Sequence, residues 1–172
     1  MSRNEKLTLM VIIGPTASGK SELAVRLAKK YNGEIISADS RQIYRGLTIG
    51  SGMVSGRWRK KGFFSKGIRH HLIDEVDPKQ AISVAEYQTR ARTIIKDIVR
   101  RGRIPIIAGG TGFWIDAVVY NLALPAVRPN TRLRKDLAKK TSPELFQMLT
   151  RLDPSRAQTI EPETPRRLSR AI

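Results

Sequence analysis

The sequence predicts an α/β fold: a parallel sheet flanked by helices, with a helical subdomain toward the C-terminus. Three observations carry that prediction. Residues 14–21 read Gly14-Pro15-Thr16-Ala17-Ser18-Gly19-Lys20-Ser21 between an apolar run at 7–13 and an amphipathic segment at 22–28, the strand–loop–helix setting of a phosphate-binding GxxxxGK[ST] loop. Strand-like and helix-like segments then alternate as far as Tyr120, the pattern of a P-loop NTPase-like sheet with helical crossovers. After Pro125 the texture changes to short, charged helical pieces. The chain therefore divides into a core at 1–124 and a helical segment at 125–172.

Each element has a local cause. Leu7 to Ile13 is uncharged and reads as a buried strand. The loop's glycines let the backbone curl around an anion, with N–H groups converging at a helix N-terminus. Lys20 supplies positive charge, and the Ser21 hydroxyl is the position that ligates magnesium in such loops. Tyr31-Asn32-Gly33 stops the helix. Glu34 to Ala38 is a second strand, with Asp39 just past its C-terminal end, where open α/β sheets gather ligand chemistry.

From Ser40 to Ile73 there is no acidic residue, while Arg41, Arg45, Arg57, Arg59, Lys60, Lys61, Lys66 and Arg69 all fall inside. Trp58, Phe63 and Phe64 are interleaved with these cations. The stretch at about 45–70 reads as an adaptable basic excursion from the core. His71 to Asp74 reads as a short strand or strand end. Ser83 and Glu86 form a capping box, and Tyr87, Ala91, Ile94, Ile95 and Ile98 line one face of a helix that Gly102 ends. Ile104 to Ala108 is a buried parallel strand, followed by Gly109-Gly110-Thr111-Gly112 and a helix at 113–120. Three further helices are expected: 132–140, 143–152 capped by Thr141 or Ser142, and one from Pro165, with Thr164 as cap and proline at the first position. The last carries no cap or breaker before Ile172, the pattern of a chain that continues.

Composition narrows the function classes. With 40% hydrophobic residues over 172 positions, the chain can bury a real core. No run approaches the eighteen or so apolar residues of a membrane span, and the polar residues 1–6 carry no signal-peptide pattern. Cysteine is absent, which removes disulfides and thiolate metal sites; the expectation is a cytoplasmic protein without membrane contact. Thirty-two Lys and Arg against fifteen Asp and Glu give a net charge of +17. A small-metabolite kinase has no need of such a field, whereas a nucleic-acid-binding protein does.

The chemistry has two open forms. Phosphohydrolases of this fold end an apolar strand in an acid that holds the magnesium shell, but 104–108 runs into Gly109-Gly110-Thr111. The loop therefore serves either phosphoryl transfer from ATP, with Asp39 or Asp74 in place of that acid, or the holding of a diphosphate leaving group. Asp39 is a candidate general base, or a turn-capping aspartate. Thr111 is a candidate substrate contact, or part of a tight turn. The pair His70-His71 invites a metal reading, but adjacent strand side chains face opposite ways and no third His exists.

These segments, taken in order, resemble the tRNA dimethylallyltransferases (isopentenyltransferases). The resemblance is carried by 14–21, by Ile36-Ser37-Ala38-Asp39-Ser40-Arg41-Gln42-Ile43-Tyr44, by His71-Leu72-Ile73-Asp74, by Gly102-Arg103-Ile104-Pro105 through Gly112-Phe113, and by Pro165-Arg166-Arg167-Leu168-Ser169-Arg170-Ala171. It implies transfer of a dimethylallyl group from dimethylallyl diphosphate to the exocyclic amine of the adenosine 3′ to the tRNA anticodon, with Mg2+ as cofactor. It further implies that Gly14 to Ser21 bind the diphosphate and that Asp39 is the base. Thr111 and Arg132 complete the site, the latter placed in register by Pro125 and Pro129. Asp39, Ser40, Arg41 and Gln42, with Arg166, Arg167, Leu168, Ser169 and Arg170, would touch tRNA, and basic and aromatic loops would hold the extruded base's strand. The expected working form is a monomer.

Two departures stand out. The segment 52–69 is longer and more basic than the family's common form, with Gly50-Ser51-Gly52-Met53 where a Gly-Thr-Ala-Lys-Pro-like run often stands. The resemblance also implies a C-terminal continuation beyond Ile172. A nucleoside or small-molecule kinase, and a non-catalytic RNA-binding remnant, are the competing readings.

Overall fold

Six strands form one sheet in the order β1-β6-β2-β5-β4-β3: β1 (Met10–Ile13), β2 (Gly33–Ser37), β3 (Arg57–Arg59), β4 (Gly62–Ser65), β5 (Ile68–His71) and β6 (Ile104–Gly109). The computed structural model describes residues 8–48, 50–124 and 130–172. Leu7, and the Pro125 and Pro129 that set the register at Arg132, lie outside them. Two units separate, Met1–Pro125 and Ala126–Ile172.

The sheet is parallel where the phosphate loop needs it. β1 pairs with β6, β6 with β2, and β2 with β5, all parallel. Helix α1 (Lys20–Lys30) leaves the loop and buries Ala24, Val25 and Ala28 with Ile12, Ile35 and Ile106 on one face of the sheet. On the other face, α2 (Val84–Arg100) and α3 (Gly112–Val119) pack Tyr87, Ala91, Ile95, Ile98, Trp114 and Ile115 against Ile36 and Ile107. The Ser83–Glu86 capping box forms as the sequence implies, with the Glu86 carboxylate accepting from Ser83 N–H at 2.9 Å and Ser83 Oγ accepting from Glu86 N–H at 3.2 Å. Tyr87 stacks on Trp114 with ring centroids 4.2 Å apart, and its hydroxyl donates to the Ser37 carbonyl at 3.1 Å. That bond ties α2 to the end of β2, directly before Asp39.

From Arg57 onward the basic excursion is sheet rather than loop. β4 pairs antiparallel with both β5 and β3, so two antiparallel strands extend the parallel sheet. Phe63 is the cause: it is 3% exposed and meets the rings of Trp58 and His70 edge-on, at 6.1 and 6.2 Å. The β4–β5 turn has two central residues, Lys66 and Gly67, with φ of 47° and 83°. Both values belong to the type I′ hairpin turn, and glycine adopts its half without a Cβ penalty.

The sheet buries a charged group. Glu34 is 1% exposed, and its carboxylate pairs with the guanidinium of Arg101, lies 3.3 Å from Arg103, and accepts from His71 Nε2 at 2.7 Å. Burial alone would raise the Glu34 pKa, but hydrogen bonds and charge from Arg101 and His71 outweigh it and hold the carboxyl at about 2. His70 and His71 stand on opposite faces of β5. Burial, assisted by the charge of His71, holds His70 down to about 4 against an ordinary 6.5. Because the folded state keeps His70 neutral, the unfolded chain binds more protons between these values, and stability rises with pH across that window. Unfolding free energy measured with denaturant is expected to fall by about 3 kcal/mol between pH 6.5 and pH 4. A flat profile over that range would contradict the buried neutral histidine. The Glu34 contribution is present above its ordinary 4.5 and fades only as pH falls toward 2.

The second unit is helical: α4 (Thr131–Leu137), α5 (Ser142–Leu152), α6 (Pro154–Ala157) and α7 (Pro165–Ala171). Leu137, Leu145, Leu149, Ala157 and Leu168 form its core. Of the two caps weighed for α5, Thr141 serves: the Glu144 carboxylate accepts from its N–H at 2.8 Å and its hydroxyl at 2.7 Å. Thr164 occupies the N-cap position of α7 but makes no side-chain capping bond. α6 was not expected from the sequence; Asp153 caps it by accepting from Arg156 N–H at 2.9 Å.

Candidate active site

Three strand ends converge at the carboxyl edge of the parallel sheet. β1 delivers the loop, β2 delivers Asp39, and β6 delivers Gly109, Gly110 and Thr111. Between them lies a cleft of about 330 Å3, lined by Thr16 to Glu22 from the loop and the start of α1, by Asp39 and Gln42, and by Ala108 to Gly110. Ser51 and Gly52 close one side. Sequence reasoning missed those two, and their signal was the departure at 50–53.

The loop has a geometry suited to anions. Ala17 and Gly19 both adopt positive φ, 64° and 80°, and Gly19 is the N-cap of α1. Alternating backbone handedness turns successive N–H groups inward as a nest, at the helix end that carries partial positive charge. Lys20 Nζ donates to the Pro15 carbonyl and lies 3.4 Å from Ser18 Oγ, so the ammonium is centred on the loop. Gly14 and Pro15 form the loop's entry, while Thr16 to Ser21 face the cleft.

Asp39 is half-buried and does two things. Its Oδ1 accepts from the N–H groups of Arg41 at 2.9 Å and Gln42 at 3.3 Å, closing the turn that follows β2. It also lines the cleft with the loop. The turn-capping role and the cleft position weighed as alternatives in the sequence therefore coexist. Gln42 Nε2 donates to the Ser51 carbonyl at 3.1 Å, which holds the segment at 51–52 against the cleft. Ser40 and Arg41 are exposed beside it.

Thr111 braces this turn. Its Oγ1 accepts from Ser40 N–H at 3.0 Å, and its own N–H donates to the Ala38 carbonyl at 3.0 Å. The hydroxyl keeps its proton for another acceptor. Gly109 explains the missing acid: a Cβ there would lie 2.1 Å from the Ala38 carbonyl oxygen. No side chain fits at the strand end where a nucleotide hydrolase carries its carboxylate.

Arg132 is exposed on α4, and Arg166, Arg167 and Arg170 are exposed on α7, all in the second unit. Leu168 corrects the sequence reading. It is fully buried against Leu137, Leu145 and Leu149, and with Ala171 and Ile172 three and four residues on it forms the apolar face of α7. Its side chain packs the core of the second unit rather than facing solvent. Ser169 is half-buried and donates to the Pro165 carbonyl at 2.8 Å. Among the described residues, no group of three or more His, Asp or Glu side chains gathers to hold a metal unaided, and no helix is long and apolar enough to cross a membrane.

Fold and cleft together define an α/β protein of P-loop NTPase-like fold, with the GxxxxGK[ST] loop opening into a cleft at the carboxyl edge of its parallel sheet. Comparison with known proteins narrows the class. The family model for IPP transferases matches residues 42–172. A tRNA dimethylallyltransferase of Anoxybacillus flavithermus is 43% identical over 164 residues, which is 95% of this chain and 51% of that protein. The solved tRNA isopentenylpyrophosphate transferase of Bacillus halodurans superposes with a TM-score of 0.64 at 39% identity, over 96% of this chain and 54% of that one. A eukaryotic dimethylallyltransferase captured acting on tRNA gives a TM-score of 0.73 at 32% identity, over 95% and 40%. The chain belongs to the IPP transferase family, and it spans about half the length of the relatives it matches.

Proposed function

We propose that this chain transfers a dimethylallyl group from dimethylallyl diphosphate to the exocyclic amine of the adenosine 3′ to a tRNA anticodon. The observation that carries the reading is the cleft itself. It joins an anion-holding loop to one half-buried carboxylate on a strand end, while Gly109 leaves no room for a hydrolase's acid. The adenine amine attacks the first carbon of the prenyl group, the carbon–oxygen bond breaks, and the diphosphate leaves with the bonding pair. Lys20 and the loop N–H groups stabilise the charge that develops on the departing oxygens. Asp39 orients the amine and takes its proton, and the Thr111 hydroxyl fixes the Asp39 turn beside it.

The residues fit a magnesium ion shared with substrate: the Ser21 hydroxyl faces the cleft beside Asp39, a sparse set that diphosphate oxygens and water would complete. Such an ion neutralises charge on the leaving group. Arg132 is proposed to join the site, and Ser40, Arg41, Gln42, Arg166, Arg167 and Arg170 to contact tRNA, all being polar or basic groups. The adenine is reached only once extruded from the anticodon loop. We read the protein as cytoplasmic, in keeping with its lack of cysteine, and as a monomer.

Competition binding tests the donor. Dimethylallyl diphosphate is expected to displace a fluorescent nucleotide from the loop at lower concentration than ATP does. Lys20→Ala is expected to weaken that displacement at least about tenfold, the worth of one charged hydrogen bond. A clear preference for ATP would favour the kinase reading instead.

A further inference from the structure

The antiparallel extension has two unlike faces. Strand alternation and register place Trp58, Phe63 and His70 in one cross-strand row, which packs inward at Phe63 and His70 and leaves Trp58 half exposed. The other row is Arg57, Phe64 and Arg69, with Arg59 beside it opposite Gly62. The Arg59 guanidinium lies over the Phe64 ring at 5.2 Å. The bare Gly62 lets Arg69 lie across it, since a Cβ there would meet Arg69 Nε at 3.1 Å. Arg57 and Arg59 are exposed on an edge strand, Lys60 and Lys61 form the adjoining turn, and no acidic residue occurs between Ser40 and Ile73.

This hairpin is tied to the candidate active site. Trp58 Nε1 donates to Asp74 Oδ2 at 2.7 Å, Asp74 Oδ1 accepts from Gly46 N–H at 2.7 Å, and Asp74 N–H donates to the Gln42 carbonyl at 2.8 Å. Gln42 closes the Asp39 turn. The inward row thus anchors the hairpin to the turn that lines the cleft, while on the other row Arg57 and Arg59 stay exposed and Phe64 and Arg69 half-buried.

We propose that this outward face, Arg57, Arg59, Phe64 and Arg69, is a second RNA-binding surface that takes an unpaired stretch of the tRNA substrate. The inference rests on the tRNA-modifying function proposed above. Unpaired bases stack on guanidinium planes as they do on aromatic rings, and Phe64 holds the Arg59 guanidinium over its ring. Arg57 flanks that plane with a fork of donors that matches phosphate oxygens, and the half-buried Arg69, its Nε enclosed, adds positive charge beside it. A membrane surface is a poorer match, because one aromatic ring among arginines offers little apolar area to bury.

The test is filter binding of the 172-residue chain to unmodified tRNA across a series of salt concentrations, using Arg57→Gln/Arg59→Gln and Phe64→Leu. Lys29→Gln/Lys30→Gln on α1 is the charge-matched control. The arginine double variant is expected to reduce the slope of log affinity against log salt by about 0.7–0.9, the one phosphate contact assigned to Arg57, with the control near wild type. Phe64→Leu is expected to bind about tenfold more weakly at every salt concentration with the slope unchanged. An arginine variant with the wild-type slope, or an equal loss in the control, overturns the proposal. Wild-type affinity in Phe64→Leu overturns the stacking role. If the double variant loses binding to anionic phospholipid vesicles and none to tRNA, the face belongs to a membrane and the proposal fails. A wild-type chain that binds no tRNA sinks the proposed function itself, an outcome distinct from unchanged variants.

Discussion

Asp39→Asn is expected to lower dimethylallyl transfer by about 10²- to 10⁴-fold, the usual worth of a positioned general base, while leaving donor affinity and stability nearly unchanged. The structure makes this separation possible. Asn keeps an Oδ1 acceptor for the Arg41 and Gln42 N–H groups but cannot take the amine's proton. Asp39→Ala loses both functions, so it is expected to lose transfer to the same degree and about 1 kcal/mol of stability besides. Transfer rates on labelled donor, paired with denaturant unfolding of both variants, check the two parts. If Asn retains activity and Ala does not, the side chain acts only as a turn cap.

Gly109→Ala is expected to destabilise the core by about 3–5 kcal/mol or to prevent folding. The added carbon would sit 2.1 Å from the Ala38 carbonyl oxygen and 2.4 Å from its carbon. Both are backbone atoms held by the Ala38 N–H to Ala108 carbonyl bond of 2.9 Å, so no flexible side chain can yield. Opening the β2–β6 gap would also stretch the Thr111 N–H to Ala38 carbonyl bond and displace the Asp39 turn. Denaturant unfolding reads the effect; stability within about 1 kcal/mol of wild type would show that the approach is looser than described.

Much of the core was legible because its signals are local. The GxxxxGK[ST] loop, the Ser83–Glu86 box and the apolar strands each announce themselves within ten residues, and each appears within a residue or three of its expected bounds. The segment at 57–71 was not legible as sheet. Three of its outward positions are arginines and its turns use Lys60-Lys61 and Lys66-Gly67 rather than Asn-Gly, so charge masked a period-two pattern that the burial of Phe63, Ser65 and His70 fixes. The burial of Leu168 was hidden for a related reason: it sits among arginines in sequence, but the helical period turns it inward with Ala171 and Ile172. Glu34 gave no signal, since its partners Arg101, Arg103 and His71 are brought to it only by the sheet. The double role of Asp39 lay beyond the sequence as well, because capping and cleft position look identical there.

The reading of the loop as a cradle for a departing diphosphate is tested most directly by supplying the 172-residue chain with radiolabelled dimethylallyl diphosphate and unmodified tRNA. Label is expected in the RNA, dependent on Asp39 and absent from Asp39→Asn. Transfer of the γ-phosphate of ATP to a small acceptor, with no label entering RNA, would contradict it.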